Sequence, residues 1–261
     1  MEKRTDKNSY TILFAIAMVV IVGTVLAFAA ESLKPKITEN KRLEIQQNIL
    51  YAMGVNENDE SSVNFIPTDK VAVEFSKYIK EQLVIQIKNG KVSALNRQEY
   101  MAANNGVEPY LIDIKKEESK ASNPGYTRKL PLFVGEKDGE TFYIIPMRGK
   151  GLWDAIWGYV ALDKNLIVDG VYFDHKGETP GLGANINQRF FMDDFKGEQI
   201  MSGESFKGIA VAKGNNDPTN QIKDDYEIDA LAGATITGNG VTAMIKKDLK
   251  MYIPYLTTLK N

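Results

Sequence analysis

The sequence predicts an α+β protein: one N-terminal transmembrane helix followed by an extracytoplasmic domain with a mainly antiparallel sheet and flanking helices. Three observations predict it. Residues 10–30, YTILFAIAMVVIVGTVLAFAA, carry no charge. Asn89-Gly90 and Asp138-Gly139 each sit between apolar or alternating runs, the strongest short-range signal of a hairpin. Runs with apolar residues at helical spacing lie between and after those hairpins.

Composition bounds the function. In 261 residues, 43% hydrophobic and 25% charged, one core of a little over 200 residues can form beyond the apolar run. A formal net charge of -2 leaves no excess of Lys and Arg to neutralise a phosphate backbone, which argues against nucleic acid. The absence of cysteine excludes disulfides, thiolate nucleophiles and iron–sulfur ligation. With His175 the single histidine, no metal site made by the protein alone is expected.

The elements follow in order. At ~1.5 Å per residue, the run 10–30 spans ~30 Å, the thickness of a bilayer's hydrocarbon core. A cleaved signal peptide, with AFAA as its cleavage site, and a buried core helix are the rival readings. Lys3, Arg4 and Lys7 precede the run, so residues 1–9 are expected as a cytoplasmic tail and residues 31–261 on the far side. Lys34, Lys36, Lys41 and Arg42 weaken that bias. Within the span there is no charged residue to relay or ligate an ion. Leu43, Ile45, Ile49, Leu50 and Met53 give a juxtamembrane helix over 31–55, stopped by Gly54. A polar loop over 56–62 precedes a helical candidate over 68–82, although residues 71–75 also alternate. Leu83, Ile85 and Ile87 share one face of a hairpin turning at Asn89-Gly90. Residues 115–129, with Asn123-Pro124-Gly125, read as an exposed loop. Two more hairpins turn around Asp138-Gly139 and around residues 163–165. Residues 184–197 are expected as a helix with Ile186, Phe190 and Phe191 inward, and 209–214 as a short strand. Val241, Met244, Ile245, Leu249 and Tyr252 mark a last amphipathic helix. The charge runs KKEESK and IKKDLK are expected as solvated faces.

Two stretches point to chemistry. In DALAGATITGNGV, residues 229–241, small residues precede the last helix, which is expected to begin after Gly238-Asn239 with Asn239 as its cap. Its free N–H groups and positive dipole end would then attract a phosphate near Thr235. A plain turn and cap explains the same residues. In GETPGLG, residues 177–183, Pro180 and the glycines form a tight loop that lets Leu182 and the Thr179 methyl reach a flat ring; a Pro-Gly turn after a strand is the alternative. His175 could be a general base, but a solitary histidine at a strand end better fits a role in fixing the loop. Glu178 either bonds loop N–H groups or faces solvent.

Asp229, Gly233, Ala234 and Thr235 resemble the flavinylation motif of the FMN-binding domain family, Asp-Gly-x-Ser/Thr-Gly-Ala-Thr. In that family a flavin transferase joins FMN to the last threonine through a phosphoester. Ala230 and Ala232 depart from the motif. GETPGLG is similar to the family's loop that lies against the flavin. GKGLWDAIWGYVALD, with Gly151-Leu152-Trp153, resembles the C-subunit family of the Na+-translocating NADH:quinone reductases, as do the N-terminal anchor and the helix after it.

The resemblance implies FMN joined to Thr235, with Thr237 the rival hydroxyl. It implies cofactor contacts from Gly233, Ala234, Ile236, Thr237, Glu178, Thr179, Pro180, Gly181, Leu182, Gly183, Leu152 and Trp153, no catalytic residue and no metal. For Trp153 and Trp157 a core or interface position is an equal reading. Apolar residues such as Leu182 should disfavour charged flavin forms. The implied protein is an electron-transfer subunit, not catalytic alone, anchored in the bacterial inner membrane with its main domain periplasmic. Its implied partners are subunits A, B, D, E and F and a maturing flavin transferase; NADH is oxidised elsewhere in that complex and ubiquinone reduced. The alternatives are the G subunit of an Rnf-type electron-transport complex and an anchored envelope scaffold without flavin.

Overall fold

A computed structural model describes residues 8–59, 62–214, 217 and 219–259. The expected cytoplasmic tail lies outside the described residues up to residue 7, as do residues 60 and 61 of the polar loop. The chain divides into two units, at the boundary between residues 44 and 45.

The first unit is helical. Helix α1 runs Asn8–Ala52 without interruption, so no separate juxtamembrane helix forms over 31–55. Pro35 lies inside it and removes one backbone donor. The helix is exposed there, so solvent can take the freed carbonyl. Phe14, Val19, Leu26 and Phe28 are all exposed, which excludes the core-helix reading. Among the described residues this is the one helix long and apolar enough to cross a membrane.

In the second unit the last turns of α1 are buried through Ile49, Leu50 and Ala52. Gly54 (φ 70°) ends the helix in a Schellman motif, with Val55 N donating to Leu50 O and Gly54 N to Tyr51 O, each at 2.9 Å. Then follow α2 (Val71–Tyr78), β1 (Ile79–Lys88), β2 (Lys91–Asn96), α3 (Arg97–Ala103), α4 (Ile114–Lys120), β3 (Arg128–Lys137), β4 (Glu140–Lys150), β5 (Ala155–Leu162) and β6 (Val168–His175). Beyond them lie α5 (Arg189–Met192), β7 (Met201–Ser202), β8 (Ser205–Phe206), β9 (Ala210–Ala212), β10 (Glu227–Asp229) and α6 (Thr235–Leu256).

The main sheet has the order β2-β1-β3-β4-β5-β6, and every neighbouring pair is antiparallel. All three expected hairpins form. Asn89 and Gly90 turn with φ 51° and 76°, Asp138 and Gly139 with 54° and 80°, the positive values that two-residue hairpin loops require. The third loop is tied by Asp163 Oδ1, which accepts from Asn165 N and Ile167 N at 2.8 Å. Both faces of the sheet are covered. A Cβ on Gly135 would meet Met53 Sδ at 2.5 Å, and one on Gly149 would meet Met244 Cβ at 2.8 Å. The end of α1 therefore packs on one face and α6 on the other. Val241, Met244, Ile245, Leu249 and Tyr252 of α6 are buried as their spacing predicts, each contributing roughly 1.5–3 kcal/mol of hydrophobic stabilisation.

Five further expectations are corrected. The helical candidate over 68–82 is helix only over Val71–Tyr78; from Ile79 the chain pairs with β3, and sheet hydrogen bonds override helical spacing. The polar segment 115–129 is not simply a loop. Asp113 caps α4 by accepting from Lys116 N, and Glu117 is buried, accepting from Tyr126 Oη at 2.9 Å and Lys129 N at 3.0 Å. Residues 184–197 break into a 3₁₀ turn, the four-residue α5 and another 3₁₀ turn, which turns Phe190 outward (60% exposed) while Ile186, Phe191 and Phe195 are buried. Helix α6 starts at Thr235, so Asn239 is interior and Ala234 holds the cap position. Neither charge run is wholly solvated, since Glu117 and Asp248 are both buried. The strand expected over 209–214 forms as β9, in a parallel pair with β10.

Candidate functional site

The antiparallel order brings three loops together. Lys150 at the end of β4 pairs with Ala155 at the start of β5, and Ile156 pairs with His175 at the end of β6. The β4–β5 loop (151–154) and the loop after β6 (176–183) therefore emerge at the same end of the sheet. Helix α6 packs with its first turns there, since a Cβ on Gly149 would lie 3.4 Å from Gly240 O.

Glu178 joins all three segments. Its carboxylate is 4% exposed and accepts from Trp153 N (2.9 Å), Leu152 N (3.3 Å) and Asp154 N (3.4 Å) in one loop, and from Thr237 Oγ1 (2.6 Å) in α6. Its own N–H donates to His175 Nδ1 at 3.2 Å, so His175 does fix the loop. Of the two readings open for Glu178, bonding loop N–H groups is the one observed. Burial raises the carboxyl's affinity for its proton, but the bonds from Thr237, Trp153, Asp154 and Leu152 outweigh burial and hold it below the ordinary carboxylate range. Space for the carboxylate comes from two glycines. A Cβ on Gly151 would lie 2.5 Å from Oε1, and one on Gly183 2.6 Å from Oε2.

The two threonines differ sharply. Thr237 is 1% exposed with its hydroxyl engaged by Glu178. Thr235 is exposed, the first residue of α6. No side chain caps the helix; the first bond inside it is Gly238 N to Ala234 O at 2.9 Å. The N–H groups of the first turn and the positive end of the helix dipole are thus open to an anion beside Thr235. Gly233 (φ 71°) makes the turn into the helix in a conformation other side chains rarely adopt, and a Cβ there would meet Leu182 Cδ2 at 2.8 Å.

Between these segments lies a cleft of about 250 Å³, lined by Leu152, by Glu178, Thr179, Leu182 and Gly183, and by residues 233–237. Leu152 (44% exposed), Leu182 (41%) and Ile236 (57%) leave an apolar rim. Trp153 is 66% exposed and does not line the cleft; its Nε1 donates to Thr179 Oγ1 at 3.2 Å. Pro180 and Gly181 are exposed in the same loop, also outside the lining. Trp157 is half-buried within β5. Ten of the thirteen residues expected at a cofactor site thus meet in one cleft. The structural part of Gly151 was missed, although the Gly-Lys-Gly before Leu152 signalled a close approach. Among the described residues no cluster of His, Cys, Asp or Glu could hold a metal.

Comparison with known proteins agrees with this geometry. Residues 151–250, which include all three segments, match the FMN-binding domain family. The C subunit of the Na(+)-translocating NADH-quinone reductase of Neisseria meningitidis serogroup B is 32% identical over 272 residues, spanning 100% of this chain and 98% of that protein. The protein of the same name from Pseudomonas aeruginosa is 30% identical, spanning 92% and 90%. Among solved structures, the C subunit of the Na(+)-translocating NADH-quinone reductase of Parabacteroides distasonis superposes with a TM-score of 0.67 at 28% identity, over 86% of this chain and 97% of that one.

Proposed function

The chain belongs to the C-subunit family of the Na(+)-translocating NADH-quinone reductases, and from that premise we propose that it is the electron-transfer subunit that carries FMN esterified to Thr235. It is one subunit of an enzyme and not catalytic alone. The observation that carries the attachment site is the contrast between an exposed Thr235 hydroxyl at an uncapped helix start and a Thr237 hydroxyl already bound to Glu178.

The residues present fit the group. The open N–H groups of the first turn of α6 suit a phosphate, Gly233 lets the backbone approach it, and Leu152, Leu182 and Ile236 offer apolar surface for a flat ring. Bound FMN supplies the redox chemistry, taking up electrons and passing them on. The protein's part is to fasten, orient and shield. The phosphate is held at the helix dipole, Glu178 keeps the Leu152–Trp153 backbone and the helix start in register, and the apolar rim withholds water from one side. At about 250 Å³ the cleft is smaller than the roughly 300–1,000 Å³ typical of pockets that enclose a ligand. A flavin fastened here stays partly exposed, as electron exchange with partner subunits requires.

In this reading the apolar stretch 10–30 of α1 sits in the inner membrane with residues 31–261 on the periplasmic side. Electrons pass through this subunit toward quinone, the complex's subunits A, B, D, E and F supply NADH oxidation and sodium movement, and a flavin transferase matures Thr235. A denaturing gel of the chain co-expressed with that transferase should fluoresce under ultraviolet light, with the mass of FMN on the peptide bearing Thr235. Thr235→Ala should abolish both signals; a wild-type chain with the mass of the bare polypeptide would leave an anchored envelope scaffold as the reading.

A further inference from the structure

The covalent step poses a selection problem that the cleft itself answers. Two threonine hydroxyls lie two residues apart on the first turn of α6, and both line the same cleft. We propose that Glu178 is a positioning residue that selects the hydroxyl to be esterified, by engaging Thr237 and so leaving Thr235 as the one presented. The inference rests on the covalent reading above.

The chemistry sets the requirement. An alcohol does not displace oxide from a phosphate monoester, so the FMN phosphorus must arrive with a leaving group, as in a flavin dinucleotide held by the transferase. The threonine Oγ attacks that phosphorus, the new Oγ–P bond forms and the pyrophosphate P–O bond breaks. A nucleoside monophosphate leaves, and the hydroxyl proton passes to a base or water. No electron is transferred. The attacking oxygen needs an open line to phosphorus and no negative charge beside the incoming anion.

Thr237 fails both conditions. It is 1% exposed, and a Cβ placed on Gly183 would lie 2.5 Å from its Oγ1, so the loop 177–183 closes over that oxygen. Its proton is donated at 2.6 Å to a carboxylate that three backbone N–H groups hold ionised. Esterification would break that charge-assisted bond and set a phosphodiester anion against Glu178. Thr235 meets both conditions, being exposed at the open helix start.

A carboxylate 2.6 Å from a hydroxyl could instead serve as the base that activates Thr237. The two roles give opposite results. The full chain is co-expressed with a flavin transferase, and its peptides are mapped by mass for FMN on each threonine. Positioning predicts that Thr235→Ala carries at most a trace of FMN on Thr237. It further predicts that Thr235→Ala/Glu178→Ala, where the hydroxyl is freed and the charge removed, gains label on Thr237 of at least about tenfold over Thr235→Ala alone, the order of effect of one hydrogen bond to a charged group. Glu178→Gln keeps the shape of the clamp and guards against misfolding; in the Thr235→Ala background it should raise label on Thr237 above background.

FMN on Thr237 in the Thr235→Ala chain, lost on adding Glu178→Gln, would overturn the proposal in favour of the base. Unlabelled Thr237 in both double variants, with each chain membrane-bound and cooperatively melting, would overturn it too. If the wild-type chain itself carries no covalent flavin, it is the covalent reading that fails; label confined to Thr235 in wild type with unmoved double variants sinks the selection alone.

Discussion

A single carboxylate's surroundings decide whether it steadies or strains the protein, and Glu178 and Glu198 show both outcomes. Glu178 is held below the ordinary range, so its contribution is present above that range and is lost as pH falls through the depressed value. Acid should therefore loosen the cleft. Glu198 is 0% exposed, and burial pushes it from 4.5 up to about 7 despite Lys223 Nζ at 3.3 Å. Its sign is opposite. The folded state holds that proton more tightly than the unfolded one, so stability from this group is full below about pH 4.5 and is lost as pH rises toward 7. Glu198→Gln should flatten the dependence of the melting temperature on pH between those values and raise stability above pH 7. An unchanged slope would mean that Glu198 is ionised throughout. Neither behaviour was legible in sequence, because GETPGLG and KGEQI look alike to any pattern that cannot see what lies three-dimensionally opposite. What the sequence did carry was the proposal of Thr235, through a motif with two substitutions. The exposed position of Ala232 puts a residue without a hydroxyl beside the cleft at no cost to packing.

Elements were legible where local chemistry agreed with the tertiary environment. Asn89-Gly90 and Asp138-Gly139 have the backbone freedom their turns demand, and α6 buries the face its spacing marks. Helix α3 was missed although it was announced: Asn96 accepts from Glu99 N at 3.0 Å, and Glu99 Oε2 accepts from Asn96 N at 2.9 Å, a capping box. Asn96→Ala should cost about 0.5–2 kcal/mol, read from urea unfolding. The start of α6 was misplaced by the opposite error. Gly238 and Asn239 read as a boundary, yet the helix extends back to Thr235 because small residues at 238 and 240 let it lie close against β4 and β9: a Cβ on Gly238 would meet Val211 Cγ1 at 3.0 Å. Gly149→Val should test that contact. Its Cβ would lie 2.8 Å from Met244 Cβ, an overpacking that costs roughly 1–3 kcal/mol, and the melting temperature should fall with α6.

At the scale of the whole molecule, the proposed function rests on an FMN-binding domain joined to one helix long and apolar enough to cross a membrane. The chain contains no cysteine, so a single Asn123→Cys, exposed in the segment before β3, reports its side of the membrane without background. A membrane-impermeant maleimide should label it in spheroplasts whose cytoplasmic membrane is intact; labelling only after lysis would place the domain inside. The chain should also stay with the membrane through high salt and leave it in detergent, as an inserted helix does and a cleaved signal does not. By itself, the sequence determined the long apolar helix, the hairpins and the last helix, and its motif pointed to Thr235 as the proposed flavin site, because each is written in a short stretch through apolar length, turn residues, spacing or motif. Only the tertiary structure decided that α1 runs unbroken past Pro35, that Thr237 is closed off and that Glu178 ties three loops. Those outcomes depend on residues from 24 to 59 positions apart meeting across the end of a sheet, or on whether solvent reaches a freed carbonyl, and no local pattern encodes either.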